Sequence, residues 1–399
     1  MAPESAMRAA ANGAGEDYVE RARQLAPQIE AAAERAERAR ELAPEVLDAL
    51  HEAGLFRLLL PRRFAGAELD PASYWRVLEA AAACDGSVAW CLGQGNGCAT
   101  AAAYLDSAVA DEIWGRDARA VLAWGPGKGE ARIDGGGYRV SGHWSFASGG
   151  RHATWLGGYA AVIGTDGTPQ RLTDGSPDVR VMLFPAAQAT MTDVWDVIGL
   201  RATGSDDFAV SDIFVAADHA FTRDHAGDRR IAAPLYRFTS TALYAIAFSA
   251  VALGLARPML ESFKALAADK TPRLARQRLA DSAVVQSEVA QAEARLGAAR
   301  AYLLSEIEGI WAAVVATGTV TVDQRMRIRL ATTFGIHEAK RAADAAYELA
   351  GATAIFASRP FERRFRDLHT VTQQMQGRRA HFETVGAFLL GQPPDLSVI

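Results

Sequence analysis

Between Arg366 and Arg378 the chain reads RDLHTVTQQMQGR, which supplies one imidazole, His369, two hydroxyls, Thr370 and Thr372, and three glutamines. After Asp367 no carboxylate follows until Glu383. A glutamine amide donates and accepts hydrogen bonds but takes no proton near pH 7, whereas an imidazole does. Gln374 can therefore orient a reactant, while His369, on a different helix face, is the reserve base that could move a proton. His143, His152 and His381 are read more simply as surface or satisfied core histidines. Cys84, Cys91 and Cys98 recur every seven residues, which sets them on one stripe of a helix as small buried hydrophobes and gives no metal or redox spacing. No metal site is expected. Gly93-Gln94-Gly95-Asn96-Gly97 lies in an apolar helical context, so it is not a dinucleotide loop.

Those side chains must be positioned by elements whose patterns change twice along the chain. Residues 1 to about 16 are small and polar without periodicity and are expected to be disordered. Residues 17–118 read as a helical domain: Leu42, Val46, Leu47 and Leu50 share one face, and Gly54 follows as a C-cap. Residues 119–220 are rich in Gly, Asp and Thr with short β-branched and aromatic runs, the pattern of a central antiparallel β domain. Trp124, Trp144 and Trp195 fall in this stretch, where ordinary core is the plain reading, and Ser148 reads as a strand-end hydroxyl. Residues 234–395 return to helix, with Val285, Val289, Ala292, Leu296, Ala299, Leu303, Ile307, Ile310 and Val314 at bundle spacing. The fold class is α+β.

Half of the 399 residues are apolar, enough for a substantial core, and the net charge of -5 offers no basic field for nucleic acid or an anionic membrane. The most apolar stretch, Ala242 to Leu255, is too short to span a bilayer and reads as a buried helix. An odd number of cysteines and a start without an apolar signal segment point to the cytoplasm.

Four local motifs occur in order: AGLFRLLLP with FAGAEL from residue 53, VSGHWSFASG at 140–149, GLRATGSDD at 199–207, and ELAGA with PFERRFRD at 348–367. With the helix, sheet, bundle order they resemble the acyl-CoA dehydrogenase superfamily over residues 20 to 395. In that family a carboxylate removes the substrate's α-proton, from a position about eight residues after the R-D pair or from the first bundle helix. Both positions lack an acid here. RLADSAVVQ at 278–286 and RDLHTVTQQ at 366–374 resemble instead the superfamily's two-component flavin-dependent monooxygenase branch, with Gln374 where that branch often carries histidine.

The resemblance implies an oxygenase that receives reduced flavin, FMN with FAD as the alternative, from a separate flavin reductase. It implies a flavin C4a-hydroperoxide that oxygenates a small aromatic substrate with molecular oxygen. Trp144, Ser145, Phe146 and Ser148 would line the flavin ring and bond to it, Trp124 and Trp195 would wall the cavity, and Arg273 and Arg276 would meet the flavin phosphate of an adjacent subunit in a homotetramer. Without a proton acceptor at position 374, an indole-like substrate such as indole-3-acetate, nucleophilic without deprotonation, is favoured over a phenol. Three rival readings stand beside this one: an acyl-CoA dehydrogenase or oxidase with a displaced base, an N-oxygenase of an amine, and a non-catalytic assembly subunit.

Overall fold

The computed structural model describes residues 15–173 and 175–395. The expected disorder at the N-terminus therefore concerns residues that lie outside the description, apart from 15 and 16, which already belong to a helical stretch reaching residue 24.

The first layer is built from α1 (Ala26–Ala39), α2 (Pro44–Glu52), α3 (Pro71–Cys84) and α4 (Gly86–Ala99). Aspartates set the two long starts: Asp70 accepts from the Ala72 and Ser73 amides, and Asp85 from those of Ser87 and Val88. Asp85 is extended, with φ -154°, so it ends α3 and begins α4. The cysteine stripe is consequently split, Cys84 closing α3 while Cys91 and Cys98 ride on α4. All three thiols are buried, and burial pushes Cys84 up to about 11 and Cys98 up to about 12. Asn96, wholly buried on α4, fixes this helix to the preceding chain. Its Oδ1 accepts from the Leu58 and Leu59 amides and its Nδ2 donates to the Leu55 and Leu92 carbonyls.

The middle layer is an eight-stranded sheet in the order β6-β7-β3-β2-β4-β5-β8, with β1 beside β4. Its strands are β1 (Leu122–Trp124), β2 (Gly127–Asp134), β3 (Gly137–Ala147), β4 (Trp155–Ile163), β5 (Val179–Pro185), β6 (Thr190–Thr192), β7 (Asp206–Ala216) and β8 (Ala220–Phe221). Gly135 and Gly136, at φ 47° and 96°, make the two-residue turn joining β2 to β3. The sheet is antiparallel except at β4, which runs parallel to β1 and β2 and makes it mixed. After β3 the chain leaves through a turn at Gly150–His152 and pairs on the far side of β2 rather than folding back as a hairpin.

The last layer comprises α5 (Ser240–Asp269), α6 (Ala283–Thr317), α7 (Val322–Ala350), α8 (Glu362–Val371) and α9 (Ala380–Leu389). On α6 eight of the nine bundle-spaced apolar residues are buried, and Val289 is partly buried against the same core. A capping box between Thr321 and Gln324 opens α7, and Gly351 at φ 55° closes it. By length and composition α5 passes for a membrane span, but 89% of its most apolar window is buried among the other helices. Trp75 from α3 donates to Ser249 on α5 at 3.2 Å, so the first and last layers are joined directly.

Candidate functional site

Strand β3 sets the site through a defect. Its pairing with β7 slips between Trp144 and Ala147, and Phe146 inside the slip has φ 57°. In an unbroken strand Trp144 and Phe146 would share a face. The bulge turns them apart. Trp144 points into the sheet's own core, wholly buried, stacked on Phe208 at 5.1 Å and donating to the Tyr159 carbonyl. Its indole therefore does not line a ring site, contrary to the sequence expectation. Phe146 points outward, 60% exposed, with its ring edge-on to Trp195 at 6.0 Å. The Trp195 indole is steadied by donating to the Leu200 carbonyl at 3.1 Å. Half-buried Ser145 adjoins them, its amide engaged by the Pro126 carbonyl.

At the end of β3 the chain turns inward and Ser148 becomes the centre of a buried hydroxyl chain. Trp90 of α4 donates its indole N–H to Ser148 Oγ at 3.0 Å, Ser148 and Ser205 share a hydrogen bond of 2.7 Å, and Ser205 and Thr203 share another of 2.7 Å. Thr203 passes its own proton to the Leu200 carbonyl. Rotatable hydroxyls in series can reverse direction, so Ser148 can donate to or accept from a ligand without leaving a neighbour unpaired.

The carboxylates flanking this chain are occupied. Asp206 holds Arg151 at 2.6 Å and the amides of Val194 and Trp195. Asp367 accepts from the Leu200 amide at 2.6 Å, and burial, reinforced by Asp85, pushes it up to about 7. Asp224 takes the amide and hydroxyl of Ser240.

Gln374 caps a short turn by accepting from the Gln376 amide at 2.9 Å, while its buried Nε2 has no partner. His369 is engaged by other side chains. It is paired with Asp344 at 2.9 Å, and its ring lies tilted against Phe365 at 4.1 Å. His381 shares a 2.7 Å hydrogen bond with the Met375 carbonyl, and exposed His143 pairs with Asp207. His152 is pushed down to about 4 by burial, with further repulsion from His51. Arg273 and Arg276 are exposed on the loop between α5 and α6. Among the described residues no group of three or more His, Cys, Asp or Glu could hold a metal.

A second wall lies across α4. Every residue of this helix is buried except Gln94, whose amide reaches the Trp124 carbonyl at 3.3 Å. Trp124 meets Tyr159 edge-on. On the other side Trp90 stacks on Phe248 at 3.8 Å and Phe248 on Tyr244 at 5.8 Å. Trp90, Thr203 and Ser205 were not singled out from sequence. The two hydroxyls were visible in GLRATGSDD but carried no sign of facing Ser148, and Trp90 looked like one more apolar residue of a buried helix.

The residues present fit a flavin ring: an outward aromatic pair at Phe146 and Trp195, buried hydroxyl donors at Ser148, and an unpartnered amide at Gln374. Models of the acyl-CoA dehydrogenase N-terminal and C-terminal domains match residues 15–108 and 246–377. The indole-3-acetate monooxygenase of Pseudomonas putida is 32% identical over 86% of this chain and 85% of its own. The oxygenase subunit HsaA of a flavin-dependent monooxygenase from Rhodococcus jostii RHA1 is 27% identical over 88% of this chain and 92% of its own. The crystal structure of the 3-HSA hydroxylase from Rhodococcus sp. RHA1 superposes with a TM-score of 0.87 at 25% identity, covering 96% of this chain and 99% of that one. Fold and site together define a flavin-dependent oxidoreductase. The chain belongs to the acyl-CoA dehydrogenase superfamily, in its branch of two-component flavin-dependent monooxygenases.

Proposed function

We propose that this chain takes reduced FMN from a separate reductase and oxygenates a small, electron-rich aromatic molecule of the indole type, as the name of the Pseudomonas relative suggests. The observation that carries the reading is chemical. Ser148 joins hydroxyls to an indole N–H and Gln374 keeps an unpaired amide N–H, while Asp206, Asp224 and Asp367 are each held by an arginine or by backbone and hydroxyl donors. A desaturase needs an unengaged carboxylate to take a proton.

Reduced flavin, once bound, supplies the oxygen-activating chemistry. Phe146, Trp195 and Trp124 would wall the cavity of the ring, and Ser145 and Ser148 would offer it hydrogen bonds. Gln374 orients the reactants through its free N–H without exchanging a proton. Arg273 and Arg276 reach the flavin phosphate of a neighbouring subunit in a homotetramer, guanidinium being suited to bidentate phosphate binding. FMN is preferred to FAD on the same grounds as the branch resemblance, and three unpaired buried thiols fit work in the cytoplasm.

The test supplies reduced FMN anaerobically, admits oxygen, and measures product from indoles, phenols and amines. Oxygenated indole is the expected result, and Gln374→His is expected to raise turnover of phenols relative to indoles. Efficient hydroxylation of simple phenols with none of indoles would sink the indole assignment. Bleaching of bound oxidised FAD by an acyl-CoA would sink the oxygenase reading itself.

A further inference from the structure

The aromatic wall across α4 ends on a cation for which the protein supplies no full partner. Arg223 lies between β8 and α5, its guanidinium 5.1 Å from the centre of the Tyr159 ring. The one carboxylate in ion-pair range, among the described residues, is Asp224 at 3.7 Å. Both oxygens of Asp224 are already taken by Ser240, at 2.9 and 2.7 Å, where they secure the start of α5. The other groups around the guanidinium carry no charge near neutral pH. Burial pushes the Tyr159 phenol and the Cys98 thiol up to about 12 and the Tyr244 phenol well above its usual range. The Tyr159 hydroxyl is itself buried, with the Arg223 guanidinium beside it and no acceptor for its own proton, while Cys98 and Tyr244 are satisfied by one another at 3.3 Å.

A half-buried guanidinium with one long ion pair, beside a phenol whose proton has no acceptor, is costly unless a ligand completes it. The path between this cation and the hydroxyl chain is aromatic throughout. Ser148 touches Trp90, Trp90 stacks on Phe248, and Phe248 stacks on Tyr244. Gln94, the one residue of α4 that is not fully buried, ties this helix to the Trp124 carbonyl. This run of rings therefore has hydroxyls at one end and a positive charge with a phenol O–H at the other.

Resting on the monooxygenase reading above, we infer that Arg223, seconded by the Tyr159 hydroxyl, is the receptor for the carboxylate of an aromatic acid, whose ring is thereby held toward Ser148. Arg223 is a positioning and specificity residue and takes no part in oxygen transfer. A guanidinium suits this role because two parallel N–H donors match a carboxylate's two oxygens and fix its plane.

Binding is read without flavin or turnover, by tryptophan fluorescence of the full chain titrated with indole-3-acetate, indole-3-acetamide and tryptamine. The wild type is expected to bind the acid at least tenfold more tightly than the amide, and the amine least. In Arg223→Gln the acid-to-amide ratio is expected to fall to near one, and Arg223→Lys, which keeps the charge but not the fork, should recover part of it. In turnover with supplied reduced FMN the loss is expected in KM for the acid rather than in kcat. Equal or tighter wild-type binding of the amide or amine overturns the inference whether or not the variants fold. So does an Arg223→Gln protein that weakens reduced FMN against reduced riboflavin and leaves the acid-to-amide ratio intact, since the guanidinium would then serve the flavin phosphate. Tight acid binding without oxygenation would instead count against the monooxygenase reading and leave the carboxylate receptor standing.

Discussion

Phe146 holds a left-handed backbone at φ 57° and leaves 60% of its surface exposed, a poor arrangement for stability alone. A non-glycine residue in that region costs about 1–2 kcal/mol. Replacing Phe146 by glycine relieves that strain and removes a ring that packs only edge-on against Trp195, so the two changes offset. Chemical denaturation should register a shift within about 1 kcal/mol, whereas truncating buried Phe208 to alanine should cost about 3–5 kcal/mol. Flavin affinity is expected to fall at least about tenfold in Phe146→Gly, the equivalent of roughly 1.4 kcal/mol. If affinity survives, the outward aromatic pair is not a flavin wall. Ser148→Ala removes the acceptor of the Trp90 indole and one end of the hydroxyl chain. Leaving a buried donor unpaired costs about 1–3 kcal/mol. Product formed per reduced flavin consumed should drop by about tenfold, and an unchanged yield would remove Ser148 from the site.

At the scale of elements, β3 works because glycines on it and on its neighbours clear a slot for Trp144. A Cβ on Gly129, Gly142 or Gly158 would lie within 2.6 Å of its indole, at 2.4 Å from Cζ2 in the case of Gly158. Trp144 cannot retreat, since Phe208 stacks on its other side. Gly158→Ala is therefore expected to destabilise by about 1–3 kcal/mol through overpacking. Gly297→Ala, on the open face of α6 with nothing within 4 Å of the added carbon, should stabilise by about 0.5–1 kcal/mol. Equal unfolding midpoints for the two variants would mean that Trp144 has room to move. The same strand shows what sequence can and cannot disclose. The seam of α6 was legible because its period is local and unbroken, and the start of the sheet because turn residues announce it. The split of the cysteine stripe at Asp85 and the reversal of Phe146 against Trp144 were not, because a single capping residue or bulge shifts every later side chain without altering composition. Ser148 and the outward Phe146 could be singled out by motif resemblance. Trp90 and Arg223 could not, since Trp90 meets Ser148 across 58 positions and Arg223 gains its meaning from Tyr159, on a different strand.

Across the whole molecule, the three layers meet at a pair of buried carboxyls. Asp367 on α8 holds the Leu200 amide of the loop preceding β7, and it faces Asp85 at the junction of α3 and α4, with Arg363, Arg364 and Glu37 close by. Leu200 itself sits at φ 53°, so this bond holds a strained loop in place. Burial raises Asp367 to about 7 and raises Asp85 as well. The sign of the consequence follows from proton counting. Between about pH 4 and about pH 7 the folded chain keeps a proton on Asp367 that the unfolded chain has released, so this group's stabilising contribution is full below about pH 4 and is lost as pH rises toward 7. The slope from one such group is about 1.4 kcal/mol per pH unit at most. Asp367→Asn can still accept from the Leu200 amide but has no proton to lose. Denaturant midpoints measured from pH 5 to pH 8 should fall with rising pH in the wild type and run flatter in Asp367→Asn, the two curves converging or crossing toward pH 8. Parallel curves would show that Asp367 is ionised in the folded chain at pH 5, and the contact between α8 and the Leu200 loop would then have to be read as a charged anchor rather than a protonated one.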